Sequence, residues 1–161
     1  MDHALTKFRN KMIEKKEQIN ILLIEDNPGD VRLTQEAFKE GELNVNLEIA
    51  IDGVEALNFL HKSNGYEDAV RPDLILLDLN LPKRDGREVL AEIKVNDDLK
   101  KIPVVILTTS DAEQDVIKSY NLHANCYINK PVDFDKFFKV IRQIEQFWLE
   151  MVILPTFVKY S

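Results

Sequence analysis

Leu74-Ile75-Leu76-Leu77-Asp78-Leu79-Asn80-Leu81-Pro82 is the stretch that decides the architecture. Four consecutive apolar residues stop abruptly at a carboxylate. A continuous apolar run of this length fits a strand buried on both faces of a parallel sheet. A carboxylate at the end of such a strand lies at the carboxyl edge of the sheet, where open α/β folds place their ligands. The pattern occurs once earlier, as Ile21-Leu22-Leu23-Ile24-Glu25-Asp26. Two buried strands ending in acid, with a later Thr and Lys at matching ends, make a charged pocket.

Working outward, strand-like and helix-like segments alternate. The first strand spans 19–25. Pro28 suits a turn or first helical position, and Val31, Leu33, Ala37 and Phe38 fit a helix over 29–40, with Gly41 as its stop. Residues 45–51 alternate as a second strand. Asp52 caps a helix carrying Val54, Ala56, Leu57 and Leu60. A polar loop over 62–72 precedes the third strand, 73–78. The turn from Pro82 to Gly86 leads into a helix with Val89, Leu90 and Ile93. Pro103 opens the fourth strand, 104–108, and Ser110 or Asp111 caps a helix carrying Val116 and Ile117. A short fifth strand, 126–128, ends at Asn129-Lys130-Pro131, and a final helix covers 133–152. Five βα units in sequence predict a doubly wound, five-stranded parallel sheet with right-handed crossovers and helices on both faces.

The chain has 161 residues, enough for one domain with a substantial core. Its formal net charge of −7 disfavours non-specific binding to nucleic acid or anionic lipid. No apolar run approaches the roughly 20 residues that cross a bilayer. Lys7, Arg9 and Lys11 are not followed by an apolar stretch of signal-peptide type. Cys126 is the only cysteine, which excludes an intrachain disulfide and fits a reducing, cytoplasmic setting. Residues 1–18 read as a polar N-terminal leader, 19–152 as the folded domain with an extended last helix, and 153–161 as a tail.

The strand ends carry Glu25 and Asp26, then Asp78, then Thr108, then Lys130. In a parallel sheet all of them fall on one edge. Crowded carboxylates repel one another and need compensation. A hard divalent cation supplies it, and Mg²⁺ takes one or two carboxylates together with substrate oxygens and water. A carboxylate beside such a cation is able to attack a phosphoryl group and form an aspartyl-phosphate. Lys130 offers charge, and the Thr108 hydroxyl a hydrogen bond, to the transferring oxygens.

With these residues in view, the chain resembles the receiver domain of two-component response regulators. The resemblance rests on Ile21–Asp26, Asp73–Pro82, Pro103–Ser110 and Tyr127–Pro131 and spans roughly 19–150. It implies a flavodoxin-like sheet of strand order 2-1-3-4-5. It implies Asp78 as phosphoacceptor, Asp26 and Asp78 as direct Mg²⁺ ligands, Glu25 as a ligand through water, and the Asn80 carbonyl completing the metal shell. Thr108 and Lys130 would contact the phosphoryl group, and Tyr127 would change rotamer as Thr108 moves. Within the family, the chain is similar to the small response regulators of cyanobacterial phytochromes. That closer match is carried by 31–37, by 79–90 and by Phe147-Trp148-Leu149-Glu150. It implies a light-regulated sensor histidine kinase as phosphodonor. Thr109 departs from the Ala or Gly that many receivers place after the switch threonine, which narrows access to the phosphoryl group.

Other readings stand beside these. Tyr127 also fits a packed strand aromatic. Cys126 fits a small buried hydrophobe, and His61 and His123 stand apart from any ligand pattern. Lys83 and Arg84 read as loop charges near the phosphorylation site. A phosphohydrolase of haloacid-dehalogenase type would want an acid where Asn80 stands. A phosphorylation-independent adaptor with a receiver fold is the alternative function. The last helix carries too many apolar residues for one stripe. Phe137, Ile141, Ile144 and Trp148 fit the sheet side, with Phe138, Phe147 and Met151 further round. Either Ile153, Leu154 and Phe157 fold back over the surplus, or a two-fold homodimer buries Phe138, Phe147, Trp148 and Met151. No output domain follows, so the expected output is protein–protein contact or phosphate relay.

Overall fold

The computed structural model describes residues 3–4, 18–109, 112–152 and 154–155. Most of the leader, the caps expected at Ser110 and Asp111, and Ile153 and Phe157 of the tail lie outside the described residues. The elements in chain order are β1 (Ile19–Ile24), α1 (Pro28–Lys39), β2 (Val45–Ala50), α2 (Gly53–His61), β3 (Leu74–Leu77), α3 (Gly86–Val95), β4 (Val104–Thr108), α4 (Glu113–Asn121), β5 (Cys126–Asn129) and α5 (Phe134–Ile144). A π-helical segment, Glu145–Met151, continues α5. All strand pairs are parallel, in the order β2-β1-β3-β4-β5. This is the doubly wound parallel sheet expected from the alternating pattern, in the flavodoxin-like order that the family resemblance implies.

The period of two along the strands sorts the core into two layers. Leu22, Ile24, Ile75, Leu77, Val104 and Ile106 pack with Ala56, Leu60, Leu90 and Ile93 of α2 and α3. Ile21, Leu23, Leu74, Leu76, Val105 and Leu107 pack with Ala37 and Phe38 of α1 and Phe137, Ile141 and Ile144 of α5. Each fully buried large side chain contributes roughly 1.5–3 kcal/mol. The apolar run of β3 is thus explained: it faces helices on both sides.

Helix starts follow the sequence. Pro28 occupies the first turn of α1, and Asn27 caps it by accepting from Asp30 N at 3.0 Å. Asp52 caps α2 by accepting from Glu55 N at 2.8 Å. The start of α4 differs from expectation: Ala112 stands at its N-cap without a side-chain cap bond. Ile117, expected to face inward, is exposed, and Ser119 is the fully buried residue of that helix.

Two corrections concern the last helix. Gly41 does follow the end of α1, just past its C-cap Glu40, but its φ is not positive, so it does not act as a left-handed cap. Its smallness serves close approach instead, since a Cβ there would collide with the carboxylate of Glu145. Second, α-helical hydrogen bonding ends at Ile144, and the next turn is π-helical. An i→i+5 turn holds more residues than the α-helical 3.6. The buried row Phe137, Ile141, Ile144 therefore continues at Leu149, which is fully buried, and Trp148 turns half outward. Leu154 does fold back into the core, yet Phe147 and Met151 remain 52% and 63% exposed.

Glu145 sits fully buried in this segment and pairs with Arg142. Burial pushes its carboxyl above the ordinary range, Arg142 pulls it down, and the charges of Glu150 and Glu42 add to the rise. A raised folded pKa means that the fold favours the protonated form. That contribution is complete below the ordinary carboxylate range and is lost as pH rises through the folded value. Glu145→Gln, which cannot ionise, is expected to gain in melting temperature relative to the parent as pH rises from 4 to 8. A thermal series showing the same offset at both pH values would remove ionisation as the cause.

Candidate functional site

Strand register brings the chemistry together. Ile24 pairs with Leu77, Leu77 with Ile106, and Thr108 with Asn129. The residues that follow, Glu25, Asp78 and Lys130, therefore meet beside Thr108 at the carboxyl edge of the sheet. Backbone bonds fix them there: Asp78 N donates to Ile24 O at 3.0 Å, Glu25 N to Ala50 O at 3.0 Å, and Lys130 N to Thr108 O at 2.6 Å.

Glu25, Asp78, Thr108 and Lys130 are buried, whereas Asp26 is exposed at the rim. Ligand oxygens of Glu25, Asp26 and Asp78 all lie within 4.8 Å of one another. Thr108 Oγ1 donates to Asp78 Oδ1 at 2.7 Å, and Asn80 N donates to the same oxygen at 3.2 Å. Asn27 N donates to Glu25 Oε1 at 3.1 Å. Lys130 Nζ reaches Glu25 Oε2 at 2.8 Å, Asp30 Oδ2 at 2.9 Å and Asp78 Oδ2 at 3.4 Å.

The electrostatics follow from burial. Burial pushes Glu25 up to about 7, and the charge of Asp78 adds to the rise against the pull of Lys130. Burial alone would lower Lys130, but its bonds to Glu25 and Asp30 and the charge of Asp78 hold it above an ordinary lysine. The ammonium is firmly charged while Glu25, chiefly because it is buried and secondarily because Asp78 is near, ionises reluctantly. An edge of three converging carboxylate groups fits a hard divalent ion.

Of the site residues singled out in the sequence, only Tyr127 stands apart from this cluster, and Asn80 joins it by its backbone alone. Tyr127 lies on β5 opposite Ile106, half-buried against the α2–α3 side of the core. Asn80 is exposed and touches the site through its backbone N–H. Asp30 was not legible as a site residue. An acid in the first turn of a helix ordinarily answers the helix dipole, and nothing local announces a lysine one hundred positions on. Lys83 and Arg84 are engaged within the chain: Lys83 Nζ lies 3.2 Å from Asp52, and Arg84 bonds Glu88 and Glu92. Cys126 is half-buried rather than fully buried, and burial raises its thiol.

The chain belongs to the response regulator receiver domain family, whose model matches residues 21–142. It is a response regulator, and its relatives are signalling proteins rather than enzymes. It is 57% identical over 135 residues to response regulator Rcp1 of Synechocystis sp., covering 84% of this chain and 92% of that protein. The Mn²⁺-bound form of Rcp1 superposes with a TM-score of 0.83 at 56% identity, covering 85% of this chain and 99% of that one. The phosphorylated cyanobacterial phytochrome response regulator RcpA superposes with a TM-score of 0.84 at 50% identity, covering 86% and 99%. That Rcp1 structure holds Mn²⁺, and here Glu25, Asp26 and Asp78 form a cluster whose oxygens converge closely enough to hold a metal ion. Among the described residues, no helix is long and apolar enough to cross a membrane.

Proposed function

We propose that this chain is a phosphorylation switch in which Asp78 accepts a phosphoryl group from a sensor histidine kinase of the phytochrome type. An Asp78 carboxylate oxygen attacks the phosphorus of a phosphohistidine. The new O–P bond forms as the N–P bond breaks, and the electron pair returns to the imidazole nitrogen. Asp26 and Asp78 would hold Mg²⁺ directly, Glu25 through water, and the Asn80 carbonyl would complete the shell. Bound there, the ion neutralises charge on the phosphoryl oxygens.

The observation that carries this reading is the pairing of Asp78 with two donors, Thr108 on Oδ1 and Lys130 on Oδ2. Both donors stand where phosphoryl oxygens would be carried. Thr108 and Lys130 then draw on those oxygens, Tyr127 follows Thr108, and the β4–β5 surface changes its affinity for a partner. A cytoplasmic setting fits the acidic chain, and its net charge speaks against nucleic acid or membrane as the partner.

The surface of the last helix supports a homodimer. Phe147 and Met151 are exposed, Phe138 and Trp148 are half-buried, and the Phe147 and Trp148 rings stack edge to face at 5.5 Å. An apolar groove beside them is lined by Cys126, Ile128, Val140 and Ile144. One experiment tests both parts. With Mg²⁺ and acetyl phosphate, the chain is expected to gain the mass of one phosphoryl group and to sediment as a dimer in the micromolar range. No mass gain would defeat the switch, and a monomer persisting into high micromolar concentration would defeat the dimer.

A further inference from the structure

Asp30 reaches the site from an unexpected direction. It lies in the first turn of α1, with its backbone fully engaged: Asp30 N donates to Asn27 Oδ1 at 3.0 Å, and its carbonyl accepts from Thr34 Oγ1 at 2.7 Å. The capped helix start thereby aims the carboxylate at Lys130 Nζ, 2.9 Å away. An ammonium has three donors, and three carboxylates take them here. The bonds to Glu25 and Asp30 are short, and the contact with Asp78 is the longest of the three at 3.4 Å. Asp30 stands outside the trio of acids that converge as metal ligands. Its side chain keeps 23% exposure, so it draws the lysine toward the rim of the pocket.

We propose that Asp30 is a positioning residue that holds the Lys130 ammonium back from Asp78 and so sets how strongly a phosphoryl group must compete to recruit it. The inference rests on Asp78 being the phosphoacceptor. A phosphoryl group brings more negative charge and more acceptor oxygens than the carboxylate it modifies. It therefore wins the ammonium, but only by weakening the bond to Asp30. With the Asp30 charge removed, the competition ends and the phosphoryl-bound form gains. Asp30 also repels an arriving anion directly, and that effect does not pass through Lys130. A double-variant cycle separates the two.

The test uses the full chain with saturating Mg²⁺ and beryllofluoride as phosphoryl mimic, in the parent, Asp30→Asn, Lys130→Gln and the double variant. The asparagine keeps both backbone bonds of residue 30. Asp30→Asn is expected to tighten beryllofluoride binding about tenfold, the size of one charge-assisted hydrogen bond. In the Lys130→Gln background the same change is expected to alter affinity less than about twofold. The Lys130 ammonium resonance, followed with ¹⁵N-lysine, is expected to shift in unligated Asp30→Asn toward its position in the beryllofluoride-bound parent. Unchanged affinity in Asp30→Asn, equal tightening in both backgrounds, or an unmoved resonance would overturn the proposal. Should Lys130→Gln bind no mimic, the resonance decides. A parent chain that binds no beryllofluoride would instead defeat the phosphoacceptor reading itself.

Discussion

Asp78→Asn is expected to take up no phosphoryl group, from acetyl phosphate or from a sensor kinase, and to lose all hydroxylamine-sensitive label. The amide lacks the anionic oxygen that attacks phosphorus. Its carbonyl oxygen still accepts from Thr108 and from Asn80 N, the two bonds that now fix Oδ1. Only the weaker 3.4 Å contact with Lys130 changes character. Removing one of several crowded acids relieves repulsion, so the variant should fold at least as well as the parent. Loss of label in a chain that melts no lower therefore isolates the nucleophile. Label persisting at the parent's level, on any other residue, would show that Asp78 is not the acceptor.

The largest stability effect is expected from Lys130→Met. The ammonium is buried among Glu25, Asp30 and Asp78. Methionine fills similar space and supplies no charge, which leaves buried acids uncompensated. Breaking one side of a buried ionic cluster costs about 3–5 kcal/mol, or a fall of about 6–20 °C in Tm for a chain of this size. Measured in a chelator, that deficit should grow with pH across the neutral range, since losing Lys130 raises Glu25 further still. It should shrink toward pH 6, because Glu25, already pushed up to about 7, then takes a proton. Mg²⁺ should raise the Tm of the variant more than that of the parent, since the ion replaces the missing cation. A variant as stable as the parent in chelator at pH 8 would show that Lys130 compensates nothing.

Much of this was legible in the sequence for one reason. Apolar runs that end in a charged residue mark both a buried parallel strand and the edge where it stops. The ends at Glu25, Asp78, Thr108 and Lys130 therefore gave edge and site together, while the strand order came with the family resemblance. What stayed hidden depends on hydrogen bonds that no pattern encodes. A constant 3.6-residue period placed Trp148 against the sheet, and a single π turn gave that place to Leu149. Gly41 looked like a helix stop because glycine usually is one there. Its actual constraint is the Glu145 carboxylate, 104 positions away by residue number. Asp30 was concealed by an ordinary role, since a first-turn acid needs no further explanation.

The wide turn after Ile144 has one more effect. It leaves the chain's lone tryptophan half in solvent, edge-on to Phe147 and bordering the groove along β5. Indole emission shifts to the blue when water is replaced by protein, so anything that settles on this flank announces itself optically, with no dye attached. Deleting one residue within 145–147 would wind the segment back to the tighter pitch, keep Leu149 on the inner row, and leave that reporter on the flank.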